Sequence, residues 1–206
     1  MTTQRIRTCL AGGLIVATSA LASAVAPTPT KIKPGFNLFS TAQDIEIGRL
    51  SAVEVERQLP ILHDPLVETH VSAIGKRLAG FISGGRYPYQ FKIVTASDIN
   101  AFALPGGYIY LNRGLIEAAK SEGQLVGVMA HEMAHIALRH GTNQASKAYM
   151  GQSGLGILGG LLSKDGGSSD KVIGAVGGFG LNALFLKFSR TDEEQADIVG
   201  AQTMAK

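Results

Sequence analysis

The chain has 206 residues, of which 45% are hydrophobic and 17% are charged. This composition excludes an intrinsically disordered chain and allows one domain with a sizeable core. The formal charge of +3 falls to +1 without Arg5 and Arg7, and no basic cluster remains. The sequence therefore predicts no nucleic-acid partner.

Residues 1–26 have the pattern of a cleaved secretory signal peptide. Two arginines precede an apolar run from Leu10 to Leu21, and alternating alanines follow it. The run is short for a bilayer span, which favours cleavage over an uncleaved anchor. Residues 27–37, which are rich in Pro, Thr and Lys, are predicted to form a linker. We therefore expect a periplasmic or secreted protein.

Residues 38–206 are predicted to form one domain, which begins with two helices. Ser40 and Gln43 have the spacing of a capping box, which predicts a helix from this point to about residue 58. Asp64 followed by Pro65 is a second start signal, because Asp is a good N-cap and Pro suits the first helical position. This second helix is predicted to end near residue 82.

Three short segments that follow have the residue pattern of strands, namely 89–94, 101–104 and 108–111. Pro105, Gly106 and Gly107 join the last two as a tight turn. The predicted fold class is therefore α+β, mostly helical, with one small and largely antiparallel sheet.

A candidate metal site lies in the next helix, within the sequence VMAHEMAHIALRH at residues 128–140. His131 and His135 are four residues apart, so their rings project from one face of the helix, as two ligands of one metal must. Glu132 leans to the same side and can take a proton from water without binding the metal. Burying these groups is costly unless a divalent cation satisfies them. The pattern therefore favours a metal site over chance.

His140 is predicted not to bind this metal. The helix is predicted to begin with a capping box at Ser121 and to end at Gly141. On such a helix His140 lies about 140° around the axis from His135. The third ligand must therefore come from another element, and a carboxylate is the usual choice.

Acidic residues are few after position 140 until the segment 189–200, where a last helix is predicted. Glu193 and Asp197 are four residues apart on one face of it. One of them can bind the metal while the other accepts a hydrogen bond from a ligand histidine. Alternatively, the acidic residues only stabilise the first turn through the helix dipole. The spacing does not decide between these interpretations.

Residues 154–186 are glycine-rich, with two apolar runs around a polar tip, which predicts a helical hairpin. Each run is shorter than the roughly 20 residues that a membrane span needs. We expect the hairpin to pack beside the metal cleft, and peripheral membrane contact through its apolar face stays open.

Three segments, in this order, carry a resemblance to a known family: NAFALPGGYIYLNRGLI, HEMAHIALRH and FSRTDEEQAD. Across residues 38–205 the chain resembles the soluble, exported branch of the HtpX/BepA-type zinc metallopeptidases, which are gluzincins related to the CAAX prenyl proteases. The resemblance implies a zincin-like fold and one Zn²⁺ per chain, held by His131, His135 and Glu193. It assigns the general base to Glu132, and it makes Asp197 the partner of a ligand histidine.

The resemblance also implies a substrate edge and a function. In the family, the strand that follows the Pro-Gly-Gly turn lies near the cleft. We expect a substrate peptide to pair with this edge, around Ala103, Leu104, Gly106 and Gly107. The implied activity is a zinc-dependent endopeptidase of the cell envelope, which hydrolyses misfolded or unassembled proteins.

Two other functions stay open on the sequence alone. One is a zinc-stabilised, chaperone-like binding module without proteolysis, and the other is a membrane-embedded peptidase. Family members continue beyond the last predicted helix with a His-Pro element and often with helical repeats. The domain at 38–206 is therefore predicted to be incomplete at its C-terminus, with a repeat domain that this chain does not contain.

Overall fold

The computed structural model describes residues 30–153 and 187–206. The predicted signal peptide, the beginning of the predicted linker and the predicted hairpin at 154–186 lie outside these residues. Residues 30–37 form neither helix nor strand. They nevertheless contact the domain, because Asn37 Nδ2 donates to Thr142 Oγ1 at 2.7 Å and Ile32 packs against a buried cluster.

The first two helices begin where the sequence predicts. Helix α1 (Thr41–Gln58) has Ser40 as its N-cap, and both hydrogen bonds of the capping box with Gln43 are present. Helix α2 (Pro65–Ala79) begins with Asp64, whose carboxylate accepts from two backbone N–H groups of the first turn. This helix is one turn shorter than predicted.

In the part of the chain that the structure describes, three strands form one sheet with the order β1-β3-β2. Strand β1 (Gln90–Val94) pairs in parallel with β3 (Tyr108–Asn112), whereas β2 (Ala101–Leu104) pairs antiparallel with β3. The predicted α+β class is confirmed, but the sheet is mixed and not largely antiparallel. The physical reason is the Pro105–Gly107 turn, a 3₁₀ turn that reverses the chain. It inserts β3 between the two earlier strands, so that β3 runs along β1.

Within the described residues, four helices follow the sheet. They are α3 (Arg113–Ala118), α4 (Glu122–Ala137), α5 (His140–Ser153) and α6 (Arg190–Met204). Ser121 is the N-cap of α4, but its side chain makes no capping hydrogen bond. Gln124 Oε1 instead accepts from the N–H of Lys120 at 2.8 Å, so the predicted capping box does not form.

Helix α4 ends earlier than the sequence predicts. Its last residue is Ala137, and Arg139 has a φ of 60°, in the left-handed region. A new helix then starts at His140, so Gly141 is not the stop that we predicted but lies in the first turn of α5. The prediction was wrong because it assumed that the left-handed residue after the helix would be a glycine.

The arginine at this break is held by a buried acid. Arg139 Nε and Nη2 donate to the carboxylate of Asp44 in α1, at 2.7 and 3.0 Å. The hydroxyl of Tyr87 donates to the same carboxylate at 2.9 Å. Asp44 is only 1% exposed, so these bonds satisfy a carboxylate that burial would otherwise make very costly. They tie the α4–α5 break to α1.

Helix α4 is the centre of the domain. Met129, Met133 and their neighbours pack against α2 and the sheet in the main apolar cluster. On another face, Ala134 and Leu138 pack against Ala196 and Val199 of α6. The two helices approach closely at Gly200, where a Cβ atom would lie 3.2 Å from the backbone nitrogen of His131. This packing places the first two turns of α6 beside the histidines of α4.

Among the described residues, no helix is both long enough and apolar enough to cross a membrane.

Candidate metal centre

The two histidines of α4 face one another one helical turn apart. Their Nε2 atoms are 3.0 Å apart, and their ring centroids are 4.7 Å apart. His135 is 3% exposed, and burial lowers its pKa to about 3, with further lowering by the neighbouring rings of His131 and His140. Its ring is therefore neutral, which leaves a nitrogen lone pair available to a cation.

Glu193 of α6 completes the group. Helix α6 begins with a capping box between Ser189 and Asp192, which fixes the first turn and the position of the next residue, Glu193. Its Oε2 lies 3.3 Å from Nε2 of His131 and 3.9 Å from Nε2 of His135. The three ligand atoms all lie within 4.8 Å of one another. The structure thus positions His131, His135 and Glu193 to hold a metal ion.

The spacing of these atoms suits a small divalent cation. Zn²⁺ binds His nitrogen and carboxylate oxygen at about 2.0–2.2 Å in tetrahedral geometry, which separates the ligand atoms by roughly 3.3 Å. The observed separations of 3.0, 3.3 and 3.9 Å lie around this value. Two imidazoles and one carboxylate leave a fourth position for a water molecule or substrate, as catalytic sites do. The residues present therefore fit a catalytic metal.

Each ligand histidine has a hydrogen-bond partner on its other ring nitrogen. Nδ1 of His131 lies 2.9 Å from Oδ1 of Asp197 in α6. Nδ1 of His135 lies 2.9 Å from Nδ1 of His140. The structure thus places Asp197 against the ring nitrogen of His131 that faces away from His135 and Glu193. His140 is not one of the three residues that are positioned to hold a metal ion. The prediction that it does not bind the metal assumed a straight helix, but the helix ends at Ala137.

The carboxyl group of Glu132 lies between α4 and the free edge of the sheet. Its pKa is raised to about 7, mainly by burial and in smaller part by the nearby charge of Glu193. His131 lowers the pKa, as does a hydrogen bond from the backbone of Ala103. A carboxyl group with a pKa near neutrality can both accept and release a proton at physiological pH. No pattern in the sequence predicts the contact between Glu132 and Ala103.

Among residues 30–153 and 187–206, no strand pairs with the outer edge of β2, and this free edge faces the site. The N–H of Asn112 donates to the C=O of Asn100 at 3.0 Å. In the antiparallel register Phe102 and Leu104 are then also hydrogen-bonded to β3. The N–H and C=O groups of Ala101 and Ala103 consequently point away from β3, and those of Ala103 point towards Glu132.

The four residues predicted for the substrate edge have different surroundings. Ala103 lies on the free edge, whereas Leu104, Gly106 and Gly107 are buried. A Cβ atom at Gly106 would lie 2.5 Å from the backbone of Ile45 in α1, so α1 covers this part of the turn. The expectation that the strand after the turn forms the edge was wrong, because β3 lies between β1 and β2. The edge beside Glu132 belongs to β2, before the turn.

A phenylalanine that sequence reasoning missed covers the buried histidine. The ring of Phe188 stacks on His135 at a centroid distance of 4.2 Å and an angle of 18°. Together with Ala103, Gly106 and Arg139, these two rings line a small cavity. Phe188 immediately precedes the N-cap of α6. It is the first residue of the segment FSRTDEEQAD, but no role in the site was predicted for it.

A helix with the His-Glu-x-x-His pattern, whose two histidines converge with a glutamate from a later helix, defines the metallopeptidase class. Comparison with known proteins identifies the family within this class. The sequence model of peptidase family M48 matches residues 65–206. The chain belongs to this family of metalloproteases, whose substrates are polypeptides.

Several relatives carry protease names. The chain is 31% identical over 150 residues to the putative beta-barrel assembly-enhancing protease of Vibrio cholerae, covering 71% of this chain and 31% of the relative. It is 27% identical over 172 residues to the beta-barrel assembly-enhancing protease of Escherichia coli K12, covering 81% of this chain and 35% of the relative. The mitochondrial metalloendopeptidase OMA1 of Schizosaccharomyces pombe is 28% identical over 151 residues, which are 73% of this chain and 42% of the relative. The chain thus spans about a third of the length of the first two.

Proposed function

We propose that this chain is a zinc-dependent endopeptidase of the cell envelope, acting on misfolded or unassembled proteins. One observation carries the proposal. A partly buried Glu132 lies directly beside His131, His135 and Glu193, which are positioned to hold a metal ion. A module that only bound polypeptides would need the metal-binding groups for stability, but it would have no use for a carboxyl group poised near neutral pH.

Each residue then has a role in peptide hydrolysis. His131, His135 and Glu193 hold the metal, which when bound supplies Lewis-acid polarisation of the scissile carbonyl and acidifies water. Glu132 accepts the proton from the attacking water and passes it to the leaving amine. Asp197 accepts a hydrogen bond from Nδ1 of His131, which keeps Nε2 of that ring directed at the metal.

The free edge of β2 is proposed to align the substrate. The outward N–H and C=O groups of Ala101 and the C=O group of Ala103 can pair with an extended peptide as an added strand, while the N–H of Ala103 donates to Glu132. Because Ala103 already contacts Glu132, a peptide on this edge would pass its backbone beside the general base. Leu104, Gly106 and Gly107 would then lie buried at the end of this edge and would not pair with the peptide.

The location and substrate class rest on the sequence and on the relatives. The predicted signal peptide at 1–26 and the linker at 27–37 support export before the catalytic domain at 38–206. Two relatives are named for enhancing beta-barrel assembly, which supports a role in the quality control of envelope proteins.

The test replaces the general base without changing its size. Glu132→Gln is expected to retain zinc and the fold but to lose casein cleavage by about two to four orders of magnitude, because a positioned general base contributes that much. The exposed Glu194→Gln is the matched control and should cleave casein as the parent does. Zinc content is measured by atomic absorption in all three proteins. Cleavage by Glu132→Gln within a few-fold of the parent would refute the assigned role.

A further inference from the structure

The ring of His140 is buried behind His135, on the side away from the other ligand atoms. Only 4% of His140 is exposed. Its ring centroid lies 5.0 Å from that of His135, and the two planes are inclined by 74°. The two Nδ1 atoms are 2.9 Å apart. On the far side of the ring, Nε2 of His140 lies 3.2 Å from Oε1 of Gln195 in α6.

One assignment of protons satisfies both hydrogen bonds of His140, to His135 and to Gln195. If Nε2 of His135 faces the metal, its proton resides on Nδ1 and must be donated to Nδ1 of His140. His140 then carries its own proton on Nε2, where the carbonyl oxygen of Gln195 accepts it. The reverse assignment fails at both ends. It would put a proton on Nε2 of His135, where a cation must bind, and would leave a nitrogen lone pair facing the carbonyl oxygen of Gln195.

The backbone break after α4 brings His140 to this place. On a continuous helix the ring would point away from His135, but Arg139 adopts a φ of 60° and the chain turns back. The ion pair of Arg139 with Asp44 holds the break. A non-glycine residue in the left-handed region is uncommon and costs free energy, and here it delivers a second ring to the ligand histidine.

We propose that His140 is a positioning residue, which holds Nε2 of His135 towards the metal and links this ligand through Gln195 to the helix that carries Glu193. The inference rests on the proposed metal site. His140 accepts a hydrogen bond from Nδ1 of His135, as Asp197 does from Nδ1 of His131. The partner of His135 is a neutral ring and not a carboxylate, and burial explains this difference. His131 and Asp197 lie where solvent reaches them, whereas a second carboxylate in the closed position of His140 would bury an unpaired charge.

The experiment compares two replacements of His140 in the full-length protein. Asn can accept the hydrogen bond through Oδ1, which occupies the place of Nδ1 in histidine, whereas Leu has a similar volume and cannot accept. We expect His140→Leu to lower the affinity for Zn²⁺ by roughly 10–100-fold, as is typical when a hydrogen-bond partner of a metal ligand is lost. His140→Asn should stay within a few-fold of the parent. Competition with a chromogenic chelator measures both affinities.

Two further readouts separate positioning from a general loss of structure. The Co²⁺-substituted protein should change its visible ligand-field spectrum in His140→Leu and keep the parental spectrum in His140→Asn. His63→Leu, which removes an exposed histidine elsewhere, should change neither affinity nor spectrum. Equal affinities and spectra for the Leu and Asn replacements would overturn the proposal.

The tautomer of the unaltered protein supplies an independent test if a variant does not fold. Long-range ¹H–¹⁵N correlation spectra of the Zn²⁺-loaded parent should show His140 protonated at Nε2 and His135 at Nδ1. The opposite tautomer of His140 would refute the proposal. A parent that binds no Zn²⁺ would instead refute the proposed function, whereas a parent that binds Zn²⁺ and a Leu variant that binds it equally well would refute only the role of His140.

Discussion

Replacing Arg139 with Ala should destabilise the domain strongly, although Arg139 is the more exposed partner of its ion pair with Asp44. The guanidinium side chain is 17% exposed, but the carboxylate of Asp44 that it contacts is 2% exposed. Without Arg139, that carboxylate keeps only the hydroxyl of Tyr87 as a side-chain partner within the described residues. The variant therefore leaves a buried negative charge largely uncompensated.

The magnitude follows from the geometry of the pair. Removing one partner of a buried ion pair costs about 3–5 kcal/mol of unfolding free energy. Because Tyr87 continues to donate to Asp44, we expect the lower end, about 3 kcal/mol. That is a large part of the 5–15 kcal/mol that is typical of a whole domain. A second variant, Arg139→Gly, tests the backbone conformation. It should be more stable than Arg139→Ala by about 1 kcal/mol, because glycine adopts a left-handed φ without the strain of a Cβ atom.

Urea unfolding in the presence of a chelator measures these differences without a contribution from bound metal. Arg49→Ala is the control, because Arg49 forms an exposed ion pair with Glu46 three residues away, and such pairs contribute about 1 kcal/mol or less. The double variant Asp44→Ala with Arg139→Ala should lose less than the sum of the single losses. A loss below about 1 kcal/mol for Arg139→Ala, similar to the control, would contradict the reasoning.

Two other predictions concern the third ligand and a close backbone approach. Glu193→Ala should weaken Zn²⁺ binding far more than the exposed Glu194→Ala, because only Glu193 lies within reach of both histidines. Equal affinities in chelator competition would show that the register of α6 is misassigned. Gly48→Ala should destabilise the protein by about 1–3 kcal/mol in urea unfolding, because its Cβ would lie 1.9 Å from the carbonyl oxygen of Pro105. At Gly123 a Cβ would have no contact closer than 3.8 Å among the described residues. Gly123→Ala should therefore leave stability unchanged or raise it by up to about 1 kcal/mol. Similar losses for both glycine variants would refute the clash.

Local signals in the sequence determined much of the fold. The capping residues Ser40 and Asp64 mark the starts of α1 and α2, because each places a side-chain acceptor against the free N–H groups of a first turn. The strands at 101–104 and 108–112 follow from a Pro-Gly-Gly turn between two apolar runs. These signals involve residues within a few positions of one another, and no tertiary contact overrides them.

Contacts distant in sequence were not predictable in the same way. The conformation of Arg139 depends on Asp44, 95 residues earlier, and no pattern around the helix end indicates it. The ring of His140 was predicted to point away from His135 because that prediction extended a straight helix through the break. The parallel pairing of β1 with β3 likewise depends on which side of the sheet the turn leads to. In each case a tertiary interaction decides the local geometry.

The candidate site depends on both local and long-range interactions. The distances between its ligand atoms suit a metal ion, although the two helices that carry these atoms are far apart in the chain. The i, i+4 spacing of His131 and His135 is a property of one helix. The position of Glu193 depends on the packing of α6 against α4, through Ala196 and Val199 and through the close approach at Gly200. This packing is apolar and involves no metal-binding atom. Contacts that include no metal-binding atom therefore contribute to the position of the third carboxylate beside the histidines.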